Sequence, residues 1–109
     1  MAKIICNTVE YLTTENIDGD WIMIQSTGSV EYETNTINED AGRIKDETVT
    51  VRAFTNNTVE LNRDSYKFFI LRLRTDDGSF EVGSDEFPAL LEIWSNGVTD
   101  TLTFSRKSA

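Results

Sequence analysis

The chain reads as an all-β domain. Apolar and polar residues alternate with a period of two in one short run after another, Asp–Gly and Asn–Gly steps fall between runs, and Pro88 is the only proline. Alternation sends successive side chains to opposite faces of a strand, so each run describes a sheet with one dry and one wet face. A chain of 109 residues carries one core, and folding at that size removes roughly 65% of the unfolded chain's surface from water. The expected architecture is a single domain over residues 1–109. It is an antiparallel β-sandwich or small β-barrel of about eight or nine short strands.

The elements follow in order. An apolar run around Ile4-Ile5-Cys6 precedes a turn at Asp18-Gly19 and a second run, Trp21-Ile22-Met23-Ile24. Over residues 29–33, Val30 and Tyr32 share one face while Glu31 and Glu33 take the other. Val49, Val51 and Ala53 mark the inward face of the next run; Asn56-Asn57 is a turn, and Val59 and Leu61 mark a strand over 58–62. Asp77-Gly78 and Asn96-Gly97 are hairpin turns, expected as type I′, which needs positive φ at both central residues. They predict pairing of residues 66–75 with 79–82 and of 89–95 with 98–105. Two stretches lack the rhythm. Residues 35–46 (NTINEDAGRIKD) are expected as a long loop or short helix, and 83–88 as a bend forced by Pro88.

Charge and composition narrow the chemistry. Nineteen acids against ten bases give a net charge of −9, which repels phosphate backbones and anionic lipid, so neither nucleic acid nor membrane is an expected partner. No run approaches the ~18 apolar residues of a membrane span. No secretory h-region is visible either, so synthesis in the cytoplasm is expected. Cys6, the only cysteine, is expected as a small buried hydrophobe. Without histidine, Ser-His-Asp and Cys-His nucleophiles and histidine-based zinc sites are excluded. Glu31, Glu33, Glu60, Glu81 and Glu92 fall at outward positions, where solvated carboxylates belong rather than a paired acid and base. Asn16–Asp20 and the acids at Asp76, Asp77, Asp85 and Glu86 fit turn chemistry better than a calcium loop. No enzyme activity, cofactor or metal is expected.

What remains is surface. Over 66–74, Phe69, Leu71 and Leu73 share one face, while Phe68 and Ile70 share the other with Arg72 and Arg74. Either a second layer covers both faces of that strand, or Phe68 and Ile70 belong to a protein interface with Arg72 and Arg74 at its rim. Trp94 is out of phase with Leu91 and Ile93; a covered second face is the preferred reading there, and an exposed anchor the alternative. Ile37, Arg43 and Ile44, in the 35–46 stretch, complete the candidate interface as parts of an arm reaching a neighbour. These features lead to an expectation of a non-catalytic structural or assembly protein that self-associates or binds other virion proteins. A tailed-bacteriophage tail tube, connector or capsid decoration is the specific form, the virion then being its final location. A carbohydrate- or ligand-binding β-sandwich module using Trp94 or Trp21 is the alternative.

Overall fold

The computed structural model describes residues 2–16, 18–39, 42–58, 61, 67–84 and 87–108. Among these described residues, nine antiparallel strands form one sheet. They are β1 (Ala2–Cys6), β2 (Thr8–Thr13), β3 (Ile22–Met23), β4 (Val30–Glu39), β5 (Gly42–Phe54), β6 (Phe68–Thr75), β7 (Gly78–Val82), β8 (Ala89–Ser95) and β9 (Thr99–Ser108). Short 3-10 turns at Thr14–Asn16 and Thr55–Asn57 follow β2 and β5.

The pairing decides between sandwich and barrel. From β1 the order runs β4, β5, β9, β8, β6 and β2. Beyond β2 the path ends on the two-residue β3, while β1 at its other end and β2 are consecutive in the chain, separated only by Asn7. The sheet therefore closes on itself, because the two halves of one bent strand pair with its opposite ends. At the bend the Asn7 backbone N–H donates to the Arg74 carbonyl at 2.7 Å, and its Nδ2 donates to Asp76 Oδ1 at 2.8 Å. Edges remain all the same: among the described residues β1, β3 and β7 each pair on one side only.

Period-two alternation then fills the interior. Val49, Val51 and Ala53 of β5 are fully buried, as their phase predicts, and Phe104 and Leu102 stand beside Val49 and Val51 across the β5–β9 ladder. Leu91 and Ile93 extend the same rows onto β8. Phe69 packs edge-to-face on Tyr11 at 5.8 Å and on Phe104 at 5.5 Å, joining β2, β6 and β9 through the centre. Tyr32 and Phe80 make a third such contact at 4.9 Å. Edge-to-face geometry sets the positive rim of one ring on the negative face of the other. Cys6 lies in this core, as its apolar surroundings predict.

Three local expectations are corrected. Residues 35–39 and 42–46 are neither loop nor helix: β4 and β5 continue through them as a paired ladder, with Asn35 opposite Asp46 and Glu39 opposite Gly42. The residues do not alternate apolar with polar, so period two could not mark them as a strand. The hairpin turns are not type I′, since no non-glycine residue among those described has positive φ. Thr75 pairs with Gly78 across Asp76-Asp77, and in the other turn Asn96 Oδ1 accepts from the N–H groups of Val98 and Thr99, with Gly97 at φ 94°. The strand expected over 58–62 falls largely outside the described residues; Thr58 and Leu61 are buried, but neither lies in a strand.

The strand partners themselves follow expectation. β6 pairs with β7 over Leu71–Thr75, and β8 with β9 over Leu90–Ser95. β6 also meets β8, but only at Phe68 and Phe69. The chain passes from β7 to β8 beside that junction, where Gly83 has φ 95° and a Cβ would lie 3.0 Å from the Phe69 carbonyl oxygen. Among the described residues no helix is long and apolar enough to cross a membrane.

Two outcomes are expected in urea unfolding. Phe69→Ala, which removes a fully buried ring, lowers stability by about 3–5 kcal/mol. Gly83→Ala costs about 1–2 kcal/mol through positive φ alone, and more once the carbonyl contact is added; an unchanged midpoint would contradict the close packing at this corner.

Candidate interaction surface

Three charged or polar clusters hold the barrel wall, and each is engaged internally. On β2, Glu10 is buried beside its cross-strand partner Arg72. Arg72 Nη2 donates to Glu10 Oε2 at 3.0 Å, and Arg74 Nε donates to Oε1 at 3.0 Å. Trp21 lies over the Arg72 guanidinium, with Cζ 4.5 Å from the ring centroid. The donors on Arg72, helped by Arg74, hold the Glu10 carboxyl below the usual carboxylate range even though burial works against ionisation.

In the second cluster the Tyr32 hydroxyl donates to Glu47 Oε2 at 2.7 Å, and Arg106 Nη1 lies 3.2 Å from Oε1. Burial, and then the adjacent Glu47 carboxylate, raises the Tyr32 hydroxyl above its ordinary range, so it stays a donor. Arg106 Nε is buried without a partner, a cost of about 1–3 kcal/mol. In the third cluster Asp100, fully buried, accepts hydrogen bonds from the hydroxyls of Thr55 and Thr58. Among the described residues no group of three or more histidine, cysteine, aspartate or glutamate side chains is placed to hold a metal.

The candidate residues on β6 part company. Ile70 is buried, and Arg72 and Arg74 are bound to Glu10, so these three do not present the open interface with Phe68 that their phase suggests. The loop carrying Trp21 supplies the cover. Phe68 itself is 48% exposed. Trp94, expected beneath a second layer, is instead 67% exposed on the outer face of β8. Among the described residues no segment folds over that part of β8. Ile37, Arg43 and Ile44 lie on the β4–β5 hairpin, where Ile37 pairs with Ile44 and Asn38 with Arg43; their side chains fall outside the described residues. Glu60, Asp85 and Glu86 also fall outside.

Phe68 opens onto a surface groove. A groove of about 610 Å³ runs over the start of β6 and β8, with Phe68, Phe87, Pro88 and Leu90 as its apolar lining. Phe68 and Leu90 are cross-strand partners, and Phe87 and Leu90 are as open to solvent as Phe68. Arg106, Lys107 and Asp46 stand along one side. Lys107 makes no ion pair among the described residues. An apolar lining with a charged border is what an interface core and rim require. No family profile, curated protein or solved structure matches this chain.

Sequence reasoning found Phe68 and Trp94 by phase and missed Phe87, Pro88 and Leu90 as their neighbours. It also passed over the buried acids. Glu47 shares the phase of Val49 and Val51, and Asp100 and Arg106 share that of Leu102 and Phe104. Period two alone therefore aims all three inward.

Two measurements test this account. The Glu10 carboxyl is depressed on folding, so its contribution is present above the unfolded value near pH ~4.3 and is lost as pH falls through the lower folded value. Acidification below about pH 4.5 is expected to lower the urea midpoint through this group. Glu10→Gln costs about 1.5–3 kcal/mol at neutral pH and flattens that part of the profile; a parallel, undiminished acid limb would contradict it. Burial pushes the Cys6 thiol up, so an aromatic disulfide reagent at mildly alkaline pH reacts with it only after denaturation. Rapid reaction of the folded protein would show that the core opens at this corner.

Proposed function

We propose that this chain is a non-catalytic structural or assembly protein that works through protein–protein contacts. The observation that carries the reading is the exposed groove of Phe68, Phe87, Pro88 and Leu90 on a chain of net charge −9. Large apolar side chains gathered on one surface are the mark of a contact area, whereas singly scattered ones are ordinary. The buried carboxylates support the non-catalytic part, because Glu10, Glu47 and Asp100 are each occupied by donors of the wall. The β4–β5 hairpin supports an assembly role, as a paired ribbon can reach a neighbouring subunit while keeping its backbone hydrogen bonds.

A tailed-bacteriophage virion component, in a tail tube, connector or capsid decoration, is the specific form proposed. A strongly acidic surface suits a subunit that lines a DNA conduit without holding the phosphates, or one that keeps particles apart in solution. The exposure of Trp94 favours a second reading, a carbohydrate platform on which a sugar face stacks on the indole.

Light scattering and electron microscopy over a range of concentration and salt test the first reading. Dimers, rings or tubes are expected, and Phe68→Ser and Leu90→Ser are expected to lower the assembled fraction while leaving the unfolding midpoint nearly unchanged. A protein that stays monomeric under every condition would remove this reading. Quenching of tryptophan emission by a glycan, lost in Trp94→Ala, would put the second reading in its place.

A further inference from the structure

We infer that Asn96 is a modification site, converted by water to isoaspartate and aspartate, and that the β8–β9 hairpin sets the rate by holding the reacting groups apart. The inference rests on the turn itself and on no reading of the partner.

Asn96-Gly97 is the one Asn–Gly step in the chain; each of the other seven asparagines is followed by a residue with a side chain. Glycine has no Cβ to shield its peptide nitrogen, so Gly97 N can reach the carboxamide carbon of the residue before it. Both residues are exposed, and a Cβ on Gly97 would meet nothing within 4 Å, so water has access to the turn. Attack forms a bond from Gly97 N to Asn96 Cγ and breaks the Cγ–Nδ2 bond. The side-chain nitrogen leaves as ammonia with the Gly97 amide proton, and a five-membered imide remains. Water then opens the imide. Opening at Cγ gives aspartate with the chain as before, whereas opening at the main-chain carbonyl gives isoaspartate, with an extra methylene in the backbone. In sum a water is consumed and an ammonia released, with no oxidant or reductant. Asp18-Gly19 and Asp77-Gly78 form the same imide only from a protonated carboxyl, and carboxyls are ionised at neutral pH. Neutral pH therefore singles out Asn96.

The closed turn keeps these atoms from reacting. Asn96 Oδ1 accepts from the Val98 N–H at 3.0 Å and the Thr99 N–H at 2.8 Å, which pins the carboxamide along the turn. The Gly97 N–H is directed instead to Ser95 Oγ at 3.1 Å. Asn96 N–H donates to the Thr99 carbonyl at 3.2 Å, and the Val98 carbonyl accepts from the Thr55 N–H at 2.9 Å, tying the tip to the turn after β5. For Cγ to come onto Gly97 N, the side chain gives up both donors and the amide gives up its acceptor. The reactive population is thus the locally opened hairpin, and exposed tips open at low cost. Isoaspartate cannot remake the turn, because its longer backbone displaces the acceptor that Val98 and Thr99 shared. The damage falls beside the Ser95–Asp100 pair and leaves a new carboxylate two residues from the exposed Trp94. Each converted molecule is a lasting record that its hairpin has opened.

Peptide mapping by mass spectrometry, on protein incubated at neutral and mildly alkaline pH, tests this. Asn96 is expected to be the first asparagine to exchange NH for O in the folded protein, with isoaspartate and aspartate peptides separated by chromatography. Denaturing urea is expected to raise the rate at Asn96 at least about tenfold, because three hydrogen bonds no longer hold the reacting groups. Ser95→Ala frees the Gly97 N–H and is expected to raise the folded rate about threefold, with the unfolding midpoint nearly unchanged. Asn96→Gln, whose longer side chain closes a less favoured ring, is expected to stop the conversion at this position. The isoaspartate fraction is expected to unfold at lower urea than the parent, whereas Asn96→Asp, which keeps an acceptor for Val98 and Thr99, stays close to it. Equal rates in folded and unfolded protein would overturn the gating by the hairpin. Another asparagine reacting first in the folded protein, or no conversion at Asn96 in either state, would overturn the assignment of the site.

Discussion

The bend at Asn7 is the constraint on which the rest of the molecule depends. Strands β1 and β2 are one continuous stretch of chain, yet β1 must pair with β4 and β2 with β6. Only a turn of direction at a single residue satisfies both ladders, and the backbone and side chain of Asn7 are each hydrogen-bonded there. With the bend in place, the sheet has an inside, and alternate residues of every strand converge on it. Phe69, Leu71, Leu73, Leu102 and Phe104 are fully buried for that reason. An open sheet with the same residues would leave one ladder unpaired and its inner face wet.

Closure also fixes what the outside can be. The β2–β6 wall is covered by the loop carrying Trp21, whose ring stacks on Arg72 and so turns a charged strand face into part of the fold. The β8–β9 wall has no such cover. Trp94, Leu90 and Phe68 stay open on it, and the groove forms where β8 meets β6 through only two residue pairs. The contrast between the two walls follows from local chain length: residues 18–24 are available to fold back over one wall, whereas the turn from β8 to β9 is too short to do so. Surface chemistry here is a consequence of topology.

Much of the fold was legible in the residues. Alternation located the strands around Val30, Val49, Phe69, Phe80 and Leu91, and the glycines after Asp77 and Asn96 marked both C-terminal hairpins. The turn type was not legible, because side-chain hydrogen bonds to Asn96 and Thr75 select a geometry that the Asx–Gly step alone does not. The 35–46 stretch was illegible for a different reason: its residues do not alternate apolar with polar, which is the only signal by which period two reports a strand. For the candidate surface, phase correctly separated Phe68 and Trp94 from the inner face of their strands. It could not show that Ile70, in phase with Phe68, is covered, since the cover comes from a loop far away in sequence. Nor could it join Phe87 and Pro88 to Phe68, which only the β6–β8 junction does.

The place of β9 in the sheet bears on how the chain comes to be folded during synthesis. Residues 99–108 leave the ribosome after the other eight described strands, yet they lie between β5 and β8 and contribute Leu102 and Phe104 to the centre of the core. Until they emerge, the β5 edge with Val49 and Val51 has no neighbour on that side, and the ring of strands has a gap. The nascent chain therefore waits with an open edge, a state prone to pairing with other chains.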